Sequence, residues 1–234
     1  MIGEPRTHVA ECESTQLLLG PDDPDGAIAI TDHQTGGRGR LGRRWVAAPG
    51  TAVLVSVLLR PPAERRAPEL SLVAALAVAL ALDDAIGGDD AAQIKWPNDV
   101  LVEGRKVAGI LAEMRGTSVV LGIGINVNQE AEELPEGARL EAASLRSLDG
   151  VVRDREAVLK ALLHHFDRLY AAWHAVGLSA VHAELTARDF LRGRRIRAGE
   201  AVGVTAGIDF AGRLMVETAA GPVYVESGEI VLEP

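Results

Sequence analysis

Cys12 is the only cysteine in the 234-residue chain, so no intramolecular disulfide can form and the core must hold the fold. Such cysteine usage fits a reducing compartment. Long apolar runs are missing as well. The longest, Leu72 to Leu82, ends in Asp83-Asp84 and falls short of the roughly 20 residues that a bilayer requires, so it predicts a buried core helix. The opening residues Met1-Ile2-Gly3-Glu4-Pro5-Arg6 lack the apolar segment of a secretory signal. These absences point to a cytoplasmic protein with no membrane partner. Positive charge is in deficit: 24 Lys and Arg against 33 Asp and Glu leave a formal net charge of −9. That balance disfavours non-specific nucleic-acid binding by the bulk surface.

Familiar catalytic devices are absent too. The six histidines show no H-E-x-x-H or related ligand spacing. There is no G-x-S-x-G nucleophile elbow and no G-x-x-x-x-G-K-[ST] phosphate loop, and Cys12 has no evident base nearby. What remains available for chemistry is cations, backbone groups and a nucleophile brought by the substrate. Phosphoryl and nucleotidyl transfer work with that equipment.

The chain is 47% hydrophobic and 24% charged, the balance of a globular protein with a real core. Ser14-Thr15 reads as the cap of a short helix through Leu19, stopped by Gly20-Pro21. Strands are predicted over Ala27 to Thr31, Val53 to Leu59, Lys106 to Met114 and Ser118 to Val127. Leu70 to Ile86 reads as a helix with Gly87-Gly88 at its end. Gln129 to Gly137, rich in Pro, Glu and Gly, reads as a mobile loop. A 3.6-residue period through Val158, Leu162, Phe166, Leu169 and Trp173 predicts a helix closed by Gly177, followed by a shorter one from Ala180 to about Arg188. Beyond Gly193 the texture changes to short β-branched runs punctuated by glycine. The reading is an α/β (α+β) mixed-sheet domain with flanking helices over residues 1–190, and a small SH3-like β-barrel over 191–234.

Four segments carry chemistry. Gly37-Arg38-Gly39-Arg40-Leu41-Gly42-Arg43-Arg44-Trp45 sets four arginines among glycines, which let backbone approach a ligand while guanidinium forks grip phosphate or carboxylate oxygens. A G-x-G-x-x-G pattern lies within it, but Pro49-Gly50 leaves no room for the helix of a dinucleotide fold. The segment is either an anion-binding loop or a solvated basic one. An RNA-contacting role is the weaker reading, because no aromatic platform accompanies it. In Lys95-Trp96-Pro97-Asn98-Asp99, Pro97 keeps Trp96 extended and Asn-Asp favours a turn, which makes either a ligand wall or a plain strand connection. Lys106, ahead of Gly109, either faces an anion or is simply solvated. Gly122-Ile123-Gly124-Ile125-Asn126 either exposes backbone to a ligand or merely ends a strand.

Taken in order, Ser14-Thr15-Gln16, Gln34 with the arginine loop, Lys95-Trp96-Pro97-Asn98-Asp99, Lys106-Val107-Ala108-Gly109-Ile110-Leu111 and Gly122 to Val127 resemble the biotin protein ligase family. The matched blocks run from about residue 10 to 128. The glycine-punctuated tail resembles the family's small C-terminal domain in texture only. The resemblance implies a fold of the class II synthetase and biotin ligase type. It also implies a reaction in which ATP activates biotin to biotinyl-5′-AMP, followed by transfer to a lysine of the biotin carboxyl carrier protein or domain of a carboxylase. Position by position, it implies that Ser14, Thr15 and Gln34 hold the biotin ureido group and its neighbours. Arg38 would meet the biotin carboxylate end, and Arg40 and Arg43 the phosphates. Trp45 and Asn126 would form the adenine site. Lys106 would stand between carboxylate and α-phosphate, with Gly109 lining the biotin pocket. Asp99 would handle Mg²⁺ or position the acceptor lysine. Lys106, Arg40 and Asp99 are thus the candidate catalytic residues.

Some members of that family carry an N-terminal helix-turn-helix domain and act as repressors. Here the first site motif begins at Ser14, so a ligase-only form that binds no DNA is expected, as a monomer or homodimer. Lipoate ligase is the neighbouring enzyme reading. A catalytically inactive binding module is the non-enzyme reading, and ATP–pyrophosphate exchange discriminates it.

Overall fold

The computed structural model describes residues 1–88, 90–135 and 140–233. Three strands come first, β1 (Arg6–Cys12), β2 (Ile28–Gln34) and β3 (Ala52–Leu59), and then helix α1 (Glu69–Ile86). Strands β4 (Ala92–Lys95), β5 (Asp99–Val102), β6 (Arg105–Arg115) and β7 (Ser118–Asn126) follow. They form one sheet in the order β1-β2-β3-β7-β6-β5-β4, in which β1 and β2 are parallel and the other neighbours antiparallel. Helices α2 (Leu145–Asp149), α3 (Arg155–Val176) and α4 (His182–Ala187) lead to β8 (Arg195–Ala198), β9 (Ala201–Ile208), β10 (Leu214–Thr218), β11 (Gly221–Val225) and β12 (Ile230–Leu232). These last five make a second, antiparallel sheet in the order β11-β10-β9-β8-β12.

Alternation along the central strands divides the first sheet into two unlike faces. Leu121, Ile123 and Ile125 of β7 join the main core, while Gly122, Gly124 and Asn126 turn to the other side. Helix α1 is apolar all round because it is sandwiched: α3 covers one side and the sheet the other. Helix α3 buries only its periodic stripe from Val158 to Trp173, as the sequence predicts. Arg65 donates to the carbonyls of Trp173, His174 and Ala175, which satisfies the last turn of α3 from outside. No helix among the described residues is long and apolar enough to cross a membrane.

Several local expectations change. Ser14 makes no side-chain cap, and the turn after it, Thr15–Leu18, is a 3-10 turn rather than an α-helix. The helix predicted from Ala180 resolves into a 3-10 turn at Leu178–Ala180 and then α4. Strand β1 escapes the pattern because it lies at the sheet edge and is exposed along most of its length. The segment from Gln129 is not uniformly loose. Gln129 is buried, and a capping box fixes the 3-10 turn Ala131–Glu133; Glu136 and Gly137 lie outside the described residues.

Beneath the sheet, Arg188 and Asp83 form an ion pair at 2.6 Å in which both side chains are under a tenth exposed. Asp83 also accepts the Ala92 amide, and Arg188 donates to the Ala92 carbonyl. Arg188 has a second partner in the exposed Asp90 at 2.9 Å, so it is removal of Arg188 that strands a charge, the buried Asp83 carboxylate. Arg188→Ala should therefore lower stability by about 3–5 kcal/mol in denaturant titrations, and a loss below about 1 kcal/mol would show that Asp83 finds solvent.

Candidate active site

The floor of the site is the helix-free face of the first sheet, cleared by glycines. Gly109 of β6 and Gly124 of β7 are register partners, as are Leu111 and Gly122. A Cβ at Gly124 would stand 2.5 Å from the Trp45 ring, and one at Gly122 would stand 2.7 Å from the Gln16 amide. Both approaches are closer than any side-chain carbon tolerates. The glycines are there because an indole and a carboxamide lie directly on the sheet. Lys106 Nζ sits 5.9 Å from the Trp45 ring centroid, over the same surface.

One wall comes from the first strand connection. The Thr15 amide donates to Gln34 Oε1 at 2.9 Å, and the Thr15 hydroxyl lies 2.7 Å from that of Ser56. Gln16 spends its Nε2 on the Leu111 carbonyl, which leaves Oε1 buried without a hydrogen-bond partner. Trp45 Nε1 is likewise buried and unpartnered. Such orphaned groups in a cavity wall are what a polar ligand satisfies.

The arginine segment is an ordered hairpin across the mouth. Gly39 N–H donates to Arg43 O and Trp45 N–H to Gly37 O, and the tip is a single 3-10 turn, Arg40–Gly42. Arg38 pairs with Glu113 at 3.0 Å, Arg43 pairs with Glu229, and Arg44 donates to the Thr35 carbonyl. Arg40 turns inward and is half-buried, donating to Asn98 Oδ1 at 2.9 Å. Burial holds its guanidinium below the ordinary value, partly countered by the nearby Asp99 carboxylate. A desolvated cation of this kind acts strongly on any anion that enters.

The far wall is the β4–β5 turn. Asp99 meets Lys106 at 2.6 Å across the β5–β6 pair. Trp96, for which a ligand wall and a plain strand connection were both open, is 1% exposed and donates its indole N–H to the Gly212 carbonyl. It fastens the turn to the C-terminal sheet and leaves Lys95, Pro97, Asn98 and Asp99 to line the cavity. That sheet also supplies Gly228, Glu229 and Ile230 to the lining, and Lys95 Nζ reaches the Ile230 carbonyl at 3.5 Å. The cavity between these walls measures about 290 Å³. Asn126, at its end, gives Nδ2 to the Ala143 carbonyl and accepts from Gln129 Nε2.

Residues 13–130 match the model of the biotin/lipoate A/B protein ligase family, and residues 192–233 match the biotin protein ligase C terminal domain. The chain belongs to the biotin protein ligase family. It is 36% identical over 225 residues to the bifunctional ligase/repressor BirA of Bacillus subtilis, covering 92% of this chain and 69% of that protein. It is 34% identical to the biotin–[acetyl-CoA-carboxylase] ligase of Paracoccus denitrificans, covering 95% and 98%. Among solved structures, a biotin protein ligase from Aquifex aeolicus in complex with biotin and ATP superposes with a TM-score of 0.88 at 30% identity, covering 98% of this chain and 99% of that one.

For a biotin protein ligase, the residues singled out from sequence converge well. Ser14, Thr15, Gln34, Arg38, Arg40, Arg43, Trp45, Asp99, Lys106, Gly109 and Asn126 all line this one cavity. Sequence reasoning gave no role to Gln16, Asn98 or Glu229. Gln16 had a visible signal, since it directly follows the polar pair Ser14-Thr15 and reaches a sheet glycine. Glu229 had none, because it lies 186 residues from Arg43.

Proposed function

We propose that this protein is an ATP-dependent biotin protein ligase that forms biotinyl-5′-AMP and transfers biotin to a lysine of a carboxylase carrier domain. The observation that carries this reading is the convergence of Arg38, Arg40, Arg43 and Lys106 on one glycine-floored cavity in a chain of this family. The reaction brings a carboxylate onto the α-phosphorus of ATP, and two anions approach each other only where cations offset their repulsion. Attack forms the mixed anhydride and releases pyrophosphate. The neutral amine of the carrier lysine then attacks the acyl carbon, gives up a proton, and expels AMP.

In this assignment Ser14, Thr15, Gln16 and Gln34 face the biotin ureido end, with Gly109 beneath the ring system. Arg38 takes the carboxylate end, which requires Glu113 to yield. Arg40 and Arg43 hold phosphate, and Lys106 stands at the forming bond. Trp45 stacks on adenine, and Asn126 has one amide hydrogen and one lone pair left for its edge. A magnesium ion neutralises phosphate charge when bound. Among the described residues no three metal-ligating side chains cluster. Asp99, which pairs with Lys106 at 2.6 Å, is the cavity carboxylate that would help hold the ion. We divide the chain into a catalytic domain over 1–190 and a smaller domain over 191–234, and place the reaction in the cytoplasm.

Incubating the protein with ATP, biotin and a purified carrier domain tests the reading. The carrier should gain the mass of one biotinyl group, and no gain with biotin alongside a gain with lipoate would overturn the assignment. The adenine role has its own test. Trp45→Ala should weaken ATP binding by roughly tenfold to a hundredfold, since stacking on a base contributes about 1–3 kcal/mol. Biotin binding should change far less, and equal calorimetric losses for both ligands would make Trp45 a packing residue only.

A further inference from the structure

We infer that Asn98 is a positioning residue for Arg40, setting that guanidinium in the site without consuming its charge; the inference rests on the ligase reading above. Of the four arginines in the hairpin, Arg38 and Arg43 are met by the carboxylates of Glu113 and Glu229, and Arg44 points to a backbone carbonyl outside the turn. Arg40 is bound differently: its hydrogen bond goes to the neutral carboxamide oxygen of Asn98 at 2.9 Å, while the Asp99 carboxylate acts on it from nearby. The next residue, Asp99, is engaged by Lys106 at 2.6 Å. The β4–β5 turn thus gives its carboxylate to the lysine and its amide to the arginine. An aspartate at 98 would grip Arg40 as well but would cancel the charge that a phosphate needs.

Asn98 can hold a long side chain because it is itself held at two points. Its Nδ2 donates to the Ile110 carbonyl at 2.8 Å, and its own carbonyl accepts the Ile110 amide at 2.9 Å. Both bonds go to β6, the strand that carries Lys106 and Gly109. The arginine is therefore referenced to the strand bearing the other catalytic cation rather than to its own glycine-rich hairpin. An arginine loses much rotamer freedom on being fixed, and a preplaced fork spares the ligand that cost.

The test is a double-mutant cycle on the release rate of preformed biotinyl-5′-AMP, chased with excess unlabelled compound. Wild type, Asn98→Ala, Arg40→Ala and the double variant are compared. Asn98→Ala should speed release about tenfold, the scale of one hydrogen bond to a charged group. Added to Arg40→Ala it should change nothing further, because its effect passes through that side chain. Release from Asn98→Ala at the wild-type rate overturns the inference, and so does an effect that adds in full on the Arg40→Ala background. Asn98→Ser, whose side chain suits a turn but is too short to span both partners, serves as the second variant. If neither variant folds by circular dichroism, Asn98 is structural and the positioning role falls. Wild type that fails to retain the adenylate at all removes the ligase reading itself, an outcome separate from failure of the cycle.

Discussion

Lys106→Ala should reduce biotin-dependent ATP–pyrophosphate exchange by about 10²–10³-fold, the cost of removing one preorganised charge or donor from a transition state. In the site Lys106 is held by Asp99 at 2.6 Å and lies over Trp45. The two side chains are 28% and 18% exposed, but the Asp99 Oδ1 that meets the lysine is itself buried. Losing the lysine leaves that oxygen without its partner, a cost to folding of about 1–2 kcal/mol. The melting temperature should accordingly move by only a few degrees. The loss then belongs to chemistry, not to structure. Near-normal exchange in Lys106→Ala would remove Lys106 from the reacting centre, and a large drop in melting temperature would recast it as a structural partner of Asp99.

Arg40→Gly separates making the intermediate from keeping it. The half-buried guanidinium would contribute a charge-assisted hydrogen bond to the adenylate phosphate of roughly 1.5–3 kcal/mol. Losing such a contact acts mostly on dissociation, so release should accelerate about tenfold to a hundredfold. Glycine at 40 also loosens a hairpin that already turns at Gly39 and Gly42. Arg38, Arg43 and Lys106 remain, so activation continues and the reactive anhydride escapes. In a mixture with ATP, biotin, the carrier domain and serum albumin, wild type should label only the carrier, whereas Arg40→Gly should label albumin too. A variant that labels neither protein would assign Arg40 to activation. Normal labelling of the carrier alone would mean that the hairpin does not contact the intermediate.

How much of this was legible depends on whether a residue's partner is near in sequence or spelled by a pattern. The glycines at 109, 122 and 124 announce that something approaches the strand closely, but the approaching groups, Trp45 and Gln16, lie on other segments. The arginine loop reads as cationic from the sequence alone. Its pairing with Glu113 and Glu229 cannot be read, because each partner arrives by tertiary folding. Trp96 shows the same limit from the other side. A tryptophan locked by a following proline looks identical whether it faces a ligand or the interior. Only the Gly212 carbonyl, 116 residues away, decides between them. Strands β2, β3, β6 and β7 were visible; the exposed edge strand β1 was not, since exposure on both faces erases the period, and β4 and β5, four residues each, are too short to show one.

The anchoring of Trp96 on Gly212 and the presence of Gly228, Glu229 and Ile230 in the cavity lining have a bearing on biosynthesis. These groups emerge from the ribosome long after the arginine hairpin and Lys106 have done so. A nascent chain that has folded its large sheet still lacks one wall and the strut behind the Lys95–Asp99 turn. It has the cations for activation but not the enclosure that retains a hydrolysable acyl phosphate. Retention therefore waits on β12 and the residues that lead into it, so a chain cut short before Gly228 that still activates biotin should release its acyl phosphate, as Arg40→Gly should.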